Sequence, residues 1–254
     1  MIRNSLIREM SFKANFLLWI LVEICWFAGQ MIFLEVIYGH VETIGGWTKW
    51  ECVLLIGVHQ IIGQIFQAFF YVNLAELPDL IRTGRLDLML LLPVDAQFAV
   101  STRKFGLDNV INALVGMAIV ILSLAKLGIV PDSLHLLLFS VAIPFGVAVH
   151  YSVLFGLSVG AIWIIRAQGM IFGYFNIFNA GRYPDSVFGG AFKVIFTYFI
   201  PVILVANVPA RMLCRPWESP WLGLAGLAGA ALFIFGATRL FWLFALRRYA
   251  SASS

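Results

Sequence analysis

Residues 52–72 read Cys-Val-Leu-Leu-Ile-Gly-Val-His-Gln-Ile-Ile-Gly-Gln-Ile-Phe-Gln-Ala-Phe-Phe-Tyr-Val, without a single Lys, Arg, Asp or Glu. A helix crossing the hydrocarbon of a bilayer needs about 20 predominantly apolar residues, and this run meets that length. The rest of the chain repeats the pattern. Its 254 residues are 61% hydrophobic and 12% charged, against about 25% charge in soluble domains, and the mean hydropathy is +0.94. Six such spans with their connections use up nearly the whole length and leave no second soluble domain. The expected fold is therefore one all-α integral membrane domain over residues 1–254.

Upstream of the quoted run, a polar turn holds Gly45, Gly46, Trp47, Lys49 and Trp50, where the tryptophans read as anchors at the membrane interface. It follows a first span over about Ala14 to Ile37. Residues 1–13 mix Ile2, Leu6, Ile7 and Met10 with Arg3, Arg8, Glu9 and Lys13, the pattern of an amphipathic helix lying on the membrane. The apolar run that follows lacks the short core and small-residue site of a cleavable signal.

Downstream comes the longest polar stretch, residues 73–107. A third span over about Asp108 to Leu127 is followed by a break at Pro131 and Asp132, and a fourth over about Leu134 to Ile165 contains Pro144. The segment from Arg166 to Leu213 leaves two readings. Either Ala167 to Gly181 is a short fifth span and Pro184 to Arg211 a re-entrant hairpin, or the first part is cytoplasmic and Lys193 to Leu213 spans. The last span, about Trp221 to Leu246, carries Gly223, Gly226, Gly229 and Ala230, a series that permits close helix approach.

Placing the N-terminus inside gathers Arg3, Arg8, Lys13, Arg82, Arg85, Arg103, Lys104, Arg166, Arg247 and Arg248 on the cytoplasmic face, with Lys49, Lys126, Arg211 and Arg215 opposite. By the positive-inside rule both termini and the loop 73–107 are cytoplasmic. The net charge of +4 then faces anionic lipid headgroups and calls for no nucleic acid. Cys25, Cys52 and Cys214 are odd in number and sit in or beside apolar runs, so they suggest small buried residues, not disulfides or a zinc site.

Several side chains are candidates for function. Gln60, Gln64 and Gln67 share a helix face at i, i+4, i+7; they line a translocation path or permease interface, or they hold neighbouring helices by hydrogen bonds. Glu23 and Gln30, seven apart in the first span, allow the same two readings, since an intramembrane carboxyl is a functional candidate. His59 and His150 have no metal-ligand spacing and read as packing histidines. Gly156-Leu157-Ser158-Val159-Gly160 matches the G-x-S-x-G nucleophile pattern, which needs a strand-to-helix turn. An intramembrane serine hydrolase using Ser158 is thus one alternative, and a non-catalytic assembly subunit another. No metalloprotease H-E-x-x-H or phosphate-binding G-x-x-x-x-G-K-[ST] occurs, so ATP chemistry belongs to a separate chain. In the cytoplasmic loop, Leu77, Leu80 and Ile81 form an apolar face at i, i+3, i+4, which suits the groove of a partner or the headgroup layer.

The pattern L-P-x-L-I-R-T-G-x-L-D-L-x-L-L-x-P-V at Leu77 to Val94, followed by Gln97-Phe98, resembles the permeases of the ABC-2-type export superfamily. Gly181-Arg182-Tyr183-Pro184, Thr197-Tyr198-Phe199-Ile200-Pro201 and Val208-Pro209-Ala210 carry the same resemblance near the end. The family resemblance implies six spans, an N-terminal amphipathic helix and a coupling helix through Leu77, Pro78, Leu80, Ile81, Arg82, Gly84, Leu86 and Asp87. It also implies a re-entrant hairpin over residues 182–212, marked by Arg182, Tyr183, Pro184, Pro201 and Pro209, and so favours the short fifth span. The implied partners are a separate ABC ATPase, which holds ATP and Mg, and a second permease, identical or homologous. The chain itself is expected to bind no cofactor and no metal and to sit in the cytoplasmic (inner) membrane.

Overall fold

The computed structural model describes residues 13–164, 168–215 and 219–249. The expected surface helix before Lys13 lies outside the described residues, as do Arg166 and Ala167. Twelve α-helices follow in order. These are α1 (Lys13–Tyr38), α2 (Lys49–Phe66), α3 (Val72–Ala75), α4 (Leu77–Arg82), α5 (Leu86–Leu90), α6 (Ala96–Ser101), α7 (Leu107–Leu127), α8 (Ser133–Val159), α9 (Gln168–Asn179), α10 (Gly190–Val194), α11 (Val202–Cys214) and α12 (Pro220–Arg248). No strand occurs among the described residues.

Four described stretches are long and apolar enough to cross a membrane: Lys49–Arg82, Leu107–Leu127, Ser133–Ile162 and Pro220–Arg248. They match the second, third, fourth and last expected spans. The expected first span is α1, of which Ile24–Tyr38 qualifies as apolar but shorter. The expected fifth is α9, at 12 residues only about 18 Å long. Beyond it, Gly190–Phe199 and Val202–Cys214 meet at an 81° bend, and together they count as a further span if the pair is taken as one. Pro201 sits at that bend and Pro209 inside α11.

Local signals set the ends of these helices. Thr48 and Glu51 form a reciprocal cap on α2, with Thr48 N donating to Glu51 Oε2 at 2.7 Å. Gly128 closes α7 in the left-handed region at φ 68°, and Asp132 accepts from His135 N at 2.8 Å to open α8. The helix continues through Pro144.

The most extensive contact in the molecule is between α2 and α7. A Cβ placed on Gly57 would lie 3.0 Å from Ile119 and Val120 side-chain carbons and 3.2 Å from Gly116 O, and one on Gly116 would lie 3.1 Å from Gly57 O. The two backbones touch because neither residue has a side chain. In the small-residue series expected to permit such approach in the last span, Gly226 and Gly229 make none within this chain. A Cβ on Gly226 or Gly229 meets nothing within 4 Å, because that face of α12 points away from the rest of the chain.

Two other expectations are corrected. Trp47 is not an interface anchor but fully buried, held in a tight turn that pairs Ile44 with Trp47 across Gly45 and Gly46, at φ 57° and 78°. The Arg215 guanidinium lies 4.6 Å from its ring centroid while bonding Glu51 at 2.8 and 2.9 Å. Of the cysteines, Cys52 and Cys214 are buried but Cys25 is exposed.

The loop 73–107 folds back onto the bundle. Asn73, 1% exposed, accepts from Lys104 N at 2.8 Å and donates to Lys104 O at 2.9 Å, and Ala68 O accepts from Gly106 N at 2.9 Å. Asp95 caps α6 by accepting from Phe98 N and takes two bonds from Arg239 of α12, at 3.1 and 2.5 Å. The Arg239 bonds hold the Asp95 carboxyl below the usual carboxylate range.

Gly116→Val should destabilise the fold by about 1–3 kcal/mol through overpacking against α2, read as a lower thermal midpoint in detergent; Gly229→Val should leave the midpoint in place. Because folding lowers the Asp95 pKa, its contribution is complete above the ordinary carboxylate range and is lost as the pH falls through the folded value. Arg239→Gln should therefore remove part of the acid sensitivity of the midpoint below about pH 4.

Candidate functional site

Within this apolar bundle lies a cavity of about 550 Å³ whose largely apolar walls carry a cluster of polar side chains. The stripe on α2 supplies Gln60 and Gln64, and Gln67 joins them from a π-helical turn over Gln67–Tyr71. That wider winding, often found at functional sites, keeps Tyr71 on the same wall. From α7 come Asp108, Asn109 and Asn112, from α8 His150, and from α9 Tyr174, Phe178 and Asn179; Arg182 follows just beyond. The three glutamines and Arg182 expected from the sequence are thus brought together. Gln30 is not among them; it lines a smaller cavity with Arg182, Tyr183 and Pro184, so Arg182 borders both. Its guanidinium sits 5.9 Å from the ring centroid of Trp26 on α1. Glu23 lies in α1, and its side chain is outside the described residues.

The histidines expected as separate packing residues instead meet, their ring centroids 6.3 Å apart. His59 Nε2 lies 2.9 Å from Phe178 O; a carbonyl only accepts, so Nε2 carries the proton. Gly181 makes room for this contact, since a Cβ there would lie 3.3 Å from the His59 ring. His150 Nδ1 is 2.5 Å from Tyr174 OH, and its ring stacks on Phe178 at 3.9 Å. His150 Nε2 and Asn112 Oδ1 are both buried without a protein partner. The site therefore offers a polar substituent hydrogen bonds within aromatic walls. No group of three or more His, Cys, Asp or Glu side chains that could hold a metal ion occurs among the described residues.

Asn109, Asn112 and the His150–Tyr174 pair were missed by sequence reading. The spacing of Asn109 and Asn112 on an otherwise apolar span was the available signal. The Tyr174 pairing, 24 positions from His150, left none.

The expected hairpin entrance is held by Asn207 of α11, 2% exposed. Its Oδ1 accepts from Asp185 N at 2.9 Å and its Nδ2 donates to Tyr183 O at 3.1 Å. Asp185 in turn pairs with Arg211.

Where a coupling helix is expected, a short helix forms, α4, with Pro78 in its first turn, then a reversal at Gly84 (φ 68°) and α5. Its apolar face is turned inward, contrary to expectation: Leu77, Leu80, Ile81 and Leu86 all belong to the main core. Burial against the chain's own α3, α8 and the turn Gly160–Ile162 that follows α8 satisfies the hydrophobic periodicity. What remains outside is Arg82, Thr83, Arg85, Leu88, Leu91 and Leu92, with Leu88 61% and Leu91 80% exposed. Ser158, for its part, lies in regular helix α8, its Oγ buried and without a partner. It has neither the strained turn nor the hydrogen-bonded base of a nucleophile.

A family model described as ABC-2 family transporter protein matches residues 24–253. The chain belongs to the ABC-2 transporter family. It is a multi-pass membrane protein and a permease component of an ABC transporter. No curated protein and no solved structure matches it. In this permease the cavity draws its lining from α1, α2 and the π-turn, α7, α8, α9 and Arg182 just beyond.

His150→Phe should strand Tyr174 OH and cost about 1–3 kcal/mol, and Tyr174→Phe should cost a similar amount by stranding Nδ1. The double variant should recover much of the loss, because neither member of the pair is then left stranded. A double-mutant cycle on thermal midpoints in detergent measures this, and additive losses would contradict the pairing.

Proposed function

We propose that this permease forms, with a second permease chain, the translocation path of an ATP-driven exporter, and that a separate ABC ATPase carrying ATP and Mg drives it. The observation that carries this reading is the polar cavity inside the bundle. Amides, histidines and an arginine cost free energy in hydrocarbon, and a path that holds polar parts of a cargo accounts for placing them together. The aromatic walls suit an amphipathic or lipid-like cargo over a small ion.

In this reading the membrane is the cytoplasmic one, with both termini and loop 73–107 inside. Residues 182–212 are in this reading a re-entrant hairpin, which the 81° bend at Pro201 supports. Backbone irregularity at membrane depth is tolerated where protein surrounds it, and the near-complete burial of α11 supports this reading. The ATPase contact lies on the outward ridge of α4 and α5, at Arg82, Arg85 and Leu88, while Leu77, Leu80, Ile81 and Leu86 join that ridge to the bundle. Such coupling requires a contact that differs between the two states of the motor.

Purification in mild detergent with identification of every co-migrating chain tests the assembly; a complex without a nucleotide-binding chain would overturn it. Arg82→Glu combined with Leu88→Asp should release the ATPase from a folded permease, whereas Leu80→Asp should prevent folding. Gln60→Leu with Gln67→Leu should cut export while ATPase association persists. Unchanged export would remove the cavity from the path.

A further inference from the structure

A second hollow of about 900 Å³ lies between α7, α8 and α12, under α6, and shares no lining residue with the polar cavity. Its walls are apolar: Met117 of α7, Phe139, Ile143, Val147 and Ala148 of α8, and Phe235 of α12. The hydroxyls on its wall are already used. Ser140 Oγ donates to Leu136 O and Thr102 Oγ1 to Phe98 O. Along α8 the hollow runs from Phe139 to Tyr151, about 18 Å at the helical rise. Its rim is open, with Phe98, Met117 and Phe235 exposed.

One end is polar and built. Tyr151 OH, buried, meets Gln97 Nε2 and Ser101 Oγ, each at 2.9 Å. Arg239 Nη1 donates to Gln97 Oε1 at 2.9 Å and the guanidinium grips Asp95. Asp95 and Arg239 remain 45% and 34% exposed at their side chains. A guanidinium has five N–H donors, so three bonds leave capacity, and a carboxylate likewise accepts more than it receives here.

We propose that this groove binds a phospholipid of the surrounding bilayer, with an acyl chain along α8 between Phe139 and Tyr151 and a zwitterionic headgroup on the Asp95–Arg239 pair. A dry apolar groove on a chain solvated by lipid is filled by hydrocarbon, because water finds no partners on its walls. The polar end fixes which lipid. A headgroup phosphate takes the remaining Arg239 donors while an ammonium meets Asp95, whereas a purely anionic headgroup adds a negative charge to an already neutral Asp95–Arg239 pair and leaves the free Asp95 acceptors without an ammonium. The lipid thereby bridges α8, α12 and the loop helix α6.

The test uses the full chain purified in mild detergent, stripped of lipid and exposed to phosphatidylethanolamine or phosphatidylglycerol, with bound lipid read by native mass spectrometry. Retention of phosphatidylethanolamine over phosphatidylglycerol is expected. Ala148→Trp, which fills the groove, or Met117→Trp at its exposed rim should abolish retention. Asp95→Asn with Arg239→Gln should keep a lipid but lose the headgroup preference. Equal retention of the two lipids by the wild-type chain, or undiminished retention by the groove-filling variants, would overturn the proposal. On the wild-type chain, phosphatidylethanolamine with a photoactivatable acyl chain should label residues 139–151. Labelling spread evenly over exposed α12 positions such as Leu232 and Phe233 would refute the site, as would crosslinking of that groove to a second copy of the chain.

Discussion

A polar group buried away from water has to be answered by the protein itself, and that constraint organises much of what this chain does with its sparse polar residues. Asn73, Asn207 and Gln97 are each almost fully buried, and each joins segments that are far apart in sequence: Asn73 to Lys104, Asn207 to the stretch before α10, Gln97 to Tyr151 and Arg239. With hydrophobic burial giving little direction between helices in lipid, such pairings determine which helix faces which. The glycine crossing of α2 on α7 adds the other ingredient, contact without side chains.

Against that background the polar cavity stands apart. It gathers two buried groups without a protein partner, Asn112 Oδ1 and His150 Nε2, in one hollow, whereas Trp47 Nε1 and Ser158 Oγ, likewise buried without a partner, lie outside it. Unsatisfied buried groups of this kind cost about 1–3 kcal/mol each, and of these only the pair in the cavity faces space lined by other polar side chains.

The helices were legible in the sequence because the signals that define them are local. Hydropathy located α2, α7, α8 and α12 to within a few residues, and Gly128 and Asp132 mark the turn between two of them. The shared face of Gln60, Gln64 and Gln67 was legible for the same reason, since it needs only helical spacing. What escaped depended on three-dimensional neighbours. The face formed by Leu77, Leu80 and Ile81 was correctly read as apolar, but its periodicity does not say whether its partner is another protein or the chain's own core. Trp47 has the sequence context of an interface anchor, and only the guanidinium of Arg215, far along the chain, makes its burial intelligible. The meeting of His59 with His150 likewise rests on α2, α8 and α9 converging, which no short motif encodes.

The burial of α4 has a mechanical meaning. From Lys49 to Arg82 the chain runs as one stretch of 34 residues, about 50 Å long, through α2, the π-turn, α3 and α4. One end carries Glu51, locked to Arg215 beside the buried Trp47; the other carries Arg82 on the exposed ridge. A rod of this length pivoting by about 10° near its middle moves each end by about 4 Å, in opposite directions. If the ridge is the motor's contact, such a pivot would link it to the far rim of the bundle, and the wall of glutamines lies along the shaft between them.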